Sequence, residues 1–344
     1  MAYIFNELTY DNIPYWFGAF ISFGIVVIYV ATSGVRGAAW SDVFQAILML
    51  VIAWILGMYF VQKLHGGIGN MFETINNSNN DFLLIGEEGS SMSKARYSSN
   101  IIISMIGFVM WPHLFTKSYT TTEKRIKTTV AVYPIFALFL LPVLFIGFSG
   151  YGIVSSDQIE NSGQILPYLI TNYLTESGLL YGVVGAGALA AAMSSSDAIT
   201  HGASVSFGRD ICKAIYSKIP ENIELWIMRG AVFGVGGIAY LIAIFGSEGL
   251  IQLLLGAYGP IAQLAPAVYA SLFFRKVSAI SIIIGLILGV CVTIYYQYFA
   301  ESTLYDLHAG LIGLAFNVTG VFIFSYIYKQ SDSEIVKAKE FNEI

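Results

Sequence analysis

Residues 185–197 read Gly185-Ala-Gly-Ala-Leu-Ala-Ala-Ala-Met193-Ser-Ser-Ser-Asp197. Ten of the first twelve are Gly, Ala or Ser, small enough to let helix backbones approach closely, as packed membrane helices do. The run then ends on a carboxylate. Asp197 falls well inside an apolar stretch covering 178–206, where charge is costly unless it faces protein or a water-filled cavity. Such a residue marks an ion or substrate path; the competing readings are a structural ion pair and the N-cap of a re-started half-helix. On a helix Ala191, Ser194 and Ser195 stand at i, i+3 and i+4, so two hydroxyls and any carbonyl freed near Ala191 converge on one point. An oxygen-only set suits a hard cation such as sodium, although serines in membrane helices more often bond back to the preceding turn. His201, four residues beyond Asp197, is a candidate ion or gating partner for it.

The rest of the chain has the same solvent. Of 344 residues 56% are hydrophobic and 11% charged, against about 45–50% and 25% in soluble domains, and the mean hydropathy is +0.69. This excludes a soluble enzyme and indicates an all-α polytopic membrane protein embedded in a lipid bilayer. A net charge of −5 without a large basic cluster leaves nucleic-acid binding unsupported. Cys212, in a basic polar loop, and Cys291, in an apolar run, suggest neither a shared disulfide nor a metal pair.

Spans of about 20 apolar residues number nine, at 15–35, 42–61, 100–115, 129–150, 178–206, 229–246, 249–272, 278–299 and 308–328. The third carries Trp111-Pro112-His113-Leu114, so its inner end is expected to be irregular. The seventh is interrupted by Tyr258-Gly259-Pro260 and Pro266, which suits a bent helix lining a cavity, with Tyr258 and Gln263 as candidate solute or gate residues. Loop 62–99, rich in Asn, Gly and Ser, reads as flexible or turn-rich surface, and 163–175 as a short helix lying on the outer interface. If the N-terminus is outside, 14 of the 17 Lys and Arg residues fall inside and the other three, Lys63, Lys94 and Arg96, lie in the one long outer loop. Positive charge stays on the cytoplasmic side, so the expected orientation is N-out and C-in. Residues 1–328 then form a single transmembrane domain and 329–344 a cytoplasmic tail.

Four stretches carry a resemblance. Gly187 to Asp197, followed by Ser204-Val-Ser-Phe-Gly-Arg209-Asp210-Ile211, resembles the "AAxMSTxDS...SxxxxxDIY" motif of the sodium/solute symporter family. Ser33-Gly34-Val35-Arg36-Gly37 with Trp40-Ser41-Asp42-Val43-Phe44-Gln45 is similar to its "SGGxxAVxxTDxxQ", Pro112 to Lys117 with Lys124 and Arg125 to "PHxxxR", and Leu272-Phe273-Phe274-Arg275-Lys276 to "LFWRR". The resemblance implies a LeuT-type fold, an inverted repeat of five plus five helices with solute bound centrally and access alternating by rocking. It places Ala191 (through its carbonyl), Ser194 and Ser195 at the coupling sodium; Ser195 departs from the commonest Thr but keeps the hydroxyl. It places His113 near an inner gate, where an interfacial histidine is the plainer reading. The nine spans correspond to core helices four to ten plus two extra helices, so the chain is expected to be an N-terminally incomplete member, with another polypeptide or an upstream segment supplying the first three.

The expected function is therefore sodium-coupled import of a small organic solute at the cell (plasma) membrane, with no cofactor beyond the coupling ion. Met110 to Leu114, Pro134 and Ile146-Gly147-Phe148 look most like prokaryotic members related to monocarboxylate and proline uptake. Two rivals stand beside this reading. One is a non-transporting truncated or split-gene remnant. The other is an intramembrane enzyme, which would need more than Asp197 with His201.

Overall fold

The computed structural model describes residues 1–78, 82–86, 92–118, 121–138, 140–155, 157–159, 162–174, 178–246, 250–274 and 276–342. No strand occurs among them. In chain order the helices are α1 (Ala2–Leu8), α2 (Tyr15–His65), α3 (Ile68–Ser78), α4 (Lys94–Phe108), α5 (Pro112–Ser118), α6 (Glu123–Ala137), α7 (Leu140–Ser149), α8 (Ile165–Tyr173), α9 (Gly178–Val205), α10 (Lys213–Ile215), α11 (Glu221–Phe245), α12 (Leu250–Ala262), α13 (Ala265–Phe273), α14 (Ala279–Tyr298), α15 (Ala309–Ile327) and α16 (Asp332–Asn342). Eight segments of the described residues are long and apolar enough to cross a membrane, one fewer than the nine expected. The difference is the third span, where α4 stops at Phe108 and α5 restarts at Pro112. Proline cannot continue the hydrogen-bond ladder, and the expected irregularity divides the segment into two short helices.

Helix α2 holds two of the eight spans, Tyr15–Thr32 and Trp40–His65. Tyr29 donates from its hydroxyl to Ser41 Oγ. Twelve residues of straight helix would separate the two by about 18 Å, so the chain doubles back between them. The second arm ends at Gly66, whose φ of 75° supplies the left-handed cap.

The structure divides into two compact units, one of residues 1–79 and 116–249, the other of 80–115 and 250–344. In the first unit Ile52, Leu56 and Phe60 of α2 form a core with Ile146 of α7, Leu169 and Ile170 of α8, Leu174 and Val184 of α9. The small residues of α9 act here as expected: a Cβ on Gly187 would lie 2.3 Å from Ile52 Cδ1, so the absent side chain leaves room for Ile52 to pack against α9. Gly57 makes the same kind of contact with α7, 2.7 Å from the Pro142 carbonyl oxygen. One expectation is corrected in this unit. Residues 68–78 are helical rather than turn-rich, because Met71 and Ile75, at i and i+4, are both fully buried. The short helix expected at 163–175 exists as α8, with Leu169 and Ile170 buried in the core of this unit. Past Val205 the backbone widens into a π-helical turn, Ser206–Cys212, tied to α11 through Glu224, which accepts from Arg209 Nε and Lys213 Nζ at 2.9 Å each. Cys212 and Cys291 are both free.

The second unit is built on the α14–α15 pair. Gly285, Gly289, Gly313 and Gly320 each sit so close to the facing helix that a Cβ would meet it at 3.0 Å or less. At the loop between these helices Arg96 reaches Asp306 at 2.8 Å, and Ser93 donates to the same carboxylate. The Ser93 hydroxyl and the Arg96 guanidinium hold the Asp306 carboxyl below the usual carboxylate range. The expected tail contains α16, started by a reciprocal cap: Glu334 accepts from Ser331 N at 2.6 Å while Ser331 Oγ accepts from Glu334 N at 3.4 Å. The second oxygen of Glu334 accepts from Ala279 N at 2.8 Å, fastening α16 to the start of α14.

Candidate functional site

The informative stretch faces the second arm of α2. Asp42 and Gln45 stand at i and i+3 on α2, and Ser194 and Asp197 at i and i+3 on α9, so each pair shares one helix face. Ser194 Oγ donates to Asp42 Oδ1 at 3.0 Å. Lys117 Nζ donates to Asp42 Oδ2 at 3.2 Å. Asp197 is 1% exposed, and neither of its carboxylate oxygens has a hydrogen-bond partner among the described residues. The amide oxygen of Gln45, also buried, is in the same condition. The two carboxylates repel each other, and the Lys117 charge acts on both Asp197 and His201.

A cluster of this kind is short of positive charge. Buried polar atoms in native proteins are almost always paired, and an unpaired carboxylate is more costly than an unpaired amide. Asp42, Asp197, Ser194 and Gln45 present acceptor oxygens, which is the chemistry of a hard cation rather than of a soft metal.

The other expected residues are placed as follows. Ser195 is exposed, while Ser196 bonds back to the Ala192 carbonyl at 2.8 Å. Helix α9 runs unbroken past Ala191, so no break frees its carbonyl, which has only its second lone pair to offer. His201 continues the Ser194–Asp197 face by one turn. His113 lies on α5 with its ring centroid 5.7 Å from that of Trp111, and Tyr258 packs edge-on against Trp111 at 5.8 Å. The interruption expected in this span is present, but it falls at 263–264, just ahead of Pro266: α12 runs through Pro260 to Ala262 and α13 starts at Ala265. Gln263 lies at that interruption, 0% exposed. Its Nε2 donates to the Gly259 carbonyl at 3.1 Å, Thr293 Oγ1 at 3.2 Å and the Gly310 carbonyl at 2.9 Å, and its Oε1 accepts from Asn317 at 3.2 Å. These bonds hold α12, α14 and α15 together and leave the amide committed to packing.

Asp42, Gln45 and Lys117 are absent from the site residues expected above. Asp42 sits at the first position of its span and Lys117 beyond the end of another, so neither stands out as intramembrane charge. The available signal was the Asp42 and Gln45 spacing at i and i+3.

A model of the sodium:solute symporter family matches residues 6–289. The chain belongs to the sodium:solute symporter family. "Uncharacterized symporter YhjB" of Bacillus subtilis (strain 168) is 28% identical to it, across 97% of this chain and 70% of the relative. "High-affinity proline transporter PutP" of the same organism is 25% identical, across 99% and 70%; a further relative is spanned over only 62% of its length. Among solved structures, a Na+-coupled sialic acid symporter in a substrate-bound outward-open state superposes with a TM-score of 0.68 at 19% identity, covering 95% of this chain and 72% of that one. That likeness shows the fold: an all-helical symporter architecture, as the motif resemblance implied. With its apolar helices, the symporter is a multi-pass membrane protein.

Proposed function

We propose that this symporter couples the entry of sodium to the uptake of a small organic solute, with Asp42, Ser194 and Asp197 binding the ion and Gln45, the Ala191 carbonyl and Ser195 as further oxygen donors. The observation that carries the proposal is Asp197, buried with neither carboxylate oxygen hydrogen-bonded among the described residues, beside a second carboxylate already bonded to Ser194. Sodium gives up water to enter such a site, and two carboxylates with a hydroxyl replace part of its shell by fixed oxygens. Binding neutralises charge in the α2–α9 contact, which allows these helices to repack as the site turns from one face of the membrane to the other. The solute class we infer is a monocarboxylate or a proline-like amino acid. The sequence resemblance supports it, as does a relative named for proline. His113 and Tyr258 are the gate or solute candidates that remain near the broken α4–α5 segment. Residues 1–328 are read as one transporter domain of the cell membrane and 329–344 as its cytoplasmic tail. Cells producing the protein are expected to accumulate radiolabelled proline or a monocarboxylate faster in sodium than in potassium medium; equal rates in the two media for every solute of both classes would reject coupling.

The proposed orientation rests on the charge distribution. On a background lacking Cys212 and Cys291, Asp157→Cys and Thr303→Cys are expected to react with an impermeant thiol reagent from outside intact cells, and Thr122→Cys and Tyr216→Cys only after permeabilisation. Labelling of position 122 in sealed cells would reverse the assignment.

A further inference from the structure

The cluster contains its own cation. Asp42 and Asp197 bring two negative charges into a packed helix contact, and Lys117 brings one positive charge, 3.2 Å from Asp42 Oδ2. Their sum is −1, from −2 and +1. Charge buried between membrane helices is costly unless balanced, so the number of ions the site takes follows the number of carboxylate charges left over. Asp42 is already served on both oxygens, by Lys117 and by Ser194, whereas Asp197 has no donor among the described residues.

We propose that Lys117 stands in for a second coupling ion, neutralising Asp42 through a tethered ammonium and so fixing the sodium requirement of this site at one. The inference rests on the sodium reading of the cluster and adds its stoichiometry. A lysine suits the role because its charge is compact and its four-carbon stem flexible. Lys117 is 54% exposed at the side chain and Asp42 25%, and the ammonium, tethered to its helix, cannot diffuse away as a free ion does. Ser194, bonded to Asp42 and three residues from Asp197, is the oxygen that connects the compensated carboxylate to the uncompensated one.

Equilibrium binding of radioactive sodium to the purified full-length protein tests this. The native protein is expected to bind one sodium per chain with a hyperbolic isotherm. Lys117→Gln uncovers Asp42 and is expected to bind about two, with a Hill coefficient rising from about one toward two. The half-saturating concentration should fall by about two- to fivefold, the modest change appropriate to a half-exposed pair. Lys117→Arg keeps the charge and should behave as native, and Lys117→Met repeats the Gln variant with a different side chain. Two sodium ions in the native protein, an unchanged isotherm in both neutral variants, or an Arg variant that matches the neutral ones would each overturn the proposal. Absence of sodium binding to the native protein is a different result and rejects the sodium reading itself.

Discussion

Asp197→Asn is expected to raise the sodium concentration that half-saturates uptake by roughly tenfold to 150-fold. The carboxylate is buried and unpartnered among the described residues, so its negative charge is available to the ion. A contact of this sort is worth at least a hydrogen bond to a charged group, about 1.5–3 kcal/mol, and about 1.4 kcal/mol corresponds to tenfold. Asparagine keeps the shape and one carbonyl oxygen while removing the charge. Ser194→Ala should act in the same direction, because it removes an oxygen next to the ion and the donor that orients Asp42. Ser196→Ala is the control: its hydroxyl is spent on the Ala192 carbonyl of its own helix, and its sodium dependence should match the native protein. Initial uptake rates over a sodium series settle the ranking, and native-like curves for both Asp197→Asn and Ser194→Ala would remove these residues from the site.

Gly289→Val is expected to destabilise the protein on the order of 1–3 kcal/mol or more, as overpacking does. A Cβ at this position would lie 2.3 Å from Gln263 Oε1, 2.6 Å from Asn317 Cβ and 3.0 Å from the Gly313 carbonyl oxygen. None of these atoms can retreat cheaply, since Gln263 and Asn317 are bonded to each other and Gly313 is backbone on the facing helix. In lipid, close packing and interhelical hydrogen bonds replace the hydrophobic drive that holds soluble helices together, so separating α14 from α15 weakens both at once. The sign is opposite to that of an ordinary exposed helical glycine, where a side chain gains up to about 1 kcal/mol. Gly237→Ala, with nothing within 4 Å of the added atom, supplies that comparison. Thermal unfolding in detergent should place Gly289→Val well below native and Gly237→Ala at or above it.

Much of this architecture is legible in the chain. Apolar run length is fixed by bilayer thickness, which is why eight of the nine expected segments correspond to single candidate spans and why the Gly, Ala and Ser stretch of α9 could be read as an interface. Pro112 and Pro266 announced breaks for a local reason, the missing backbone donor, each standing in the first turn of the helix that restarts. What was not legible depends on partners far away in sequence. Asp42 meets Ser194 across 152 positions, and a residue at the first position of a span gives no local sign of its depth. Gln263 advertised hydrogen-bonding capacity, but only the fold shows that Gly259, Thr293, Gly310 and Asn317 use it. Ser194, Ser195 and Ser196 are identical in type, and their roles differ only through the 100° rotation between neighbours on a helix: one faces Asp42, one is exposed, one bonds back. The helix at 68–78 rests on Met71 and Ile75 alone, too short a pattern to outweigh its Asn and Gly content.

The central claim is that sodium binds at the Asp42, Ser194 and Asp197 cluster, and a cation that binds only the folded state raises its melting temperature. The stabilisation is about 2.7 kcal/mol at a hundred times Kd. The measurement is the melting temperature of the purified protein in sodium and in potassium chloride at equal ionic strength, for the native chain and for the double variant Asp197→Asn with Ser194→Ala. Sodium should raise the native value by several degrees over potassium and leave the double variant unchanged. The same sodium-specific rise in both proteins would place the ion elsewhere and contradict the assignment.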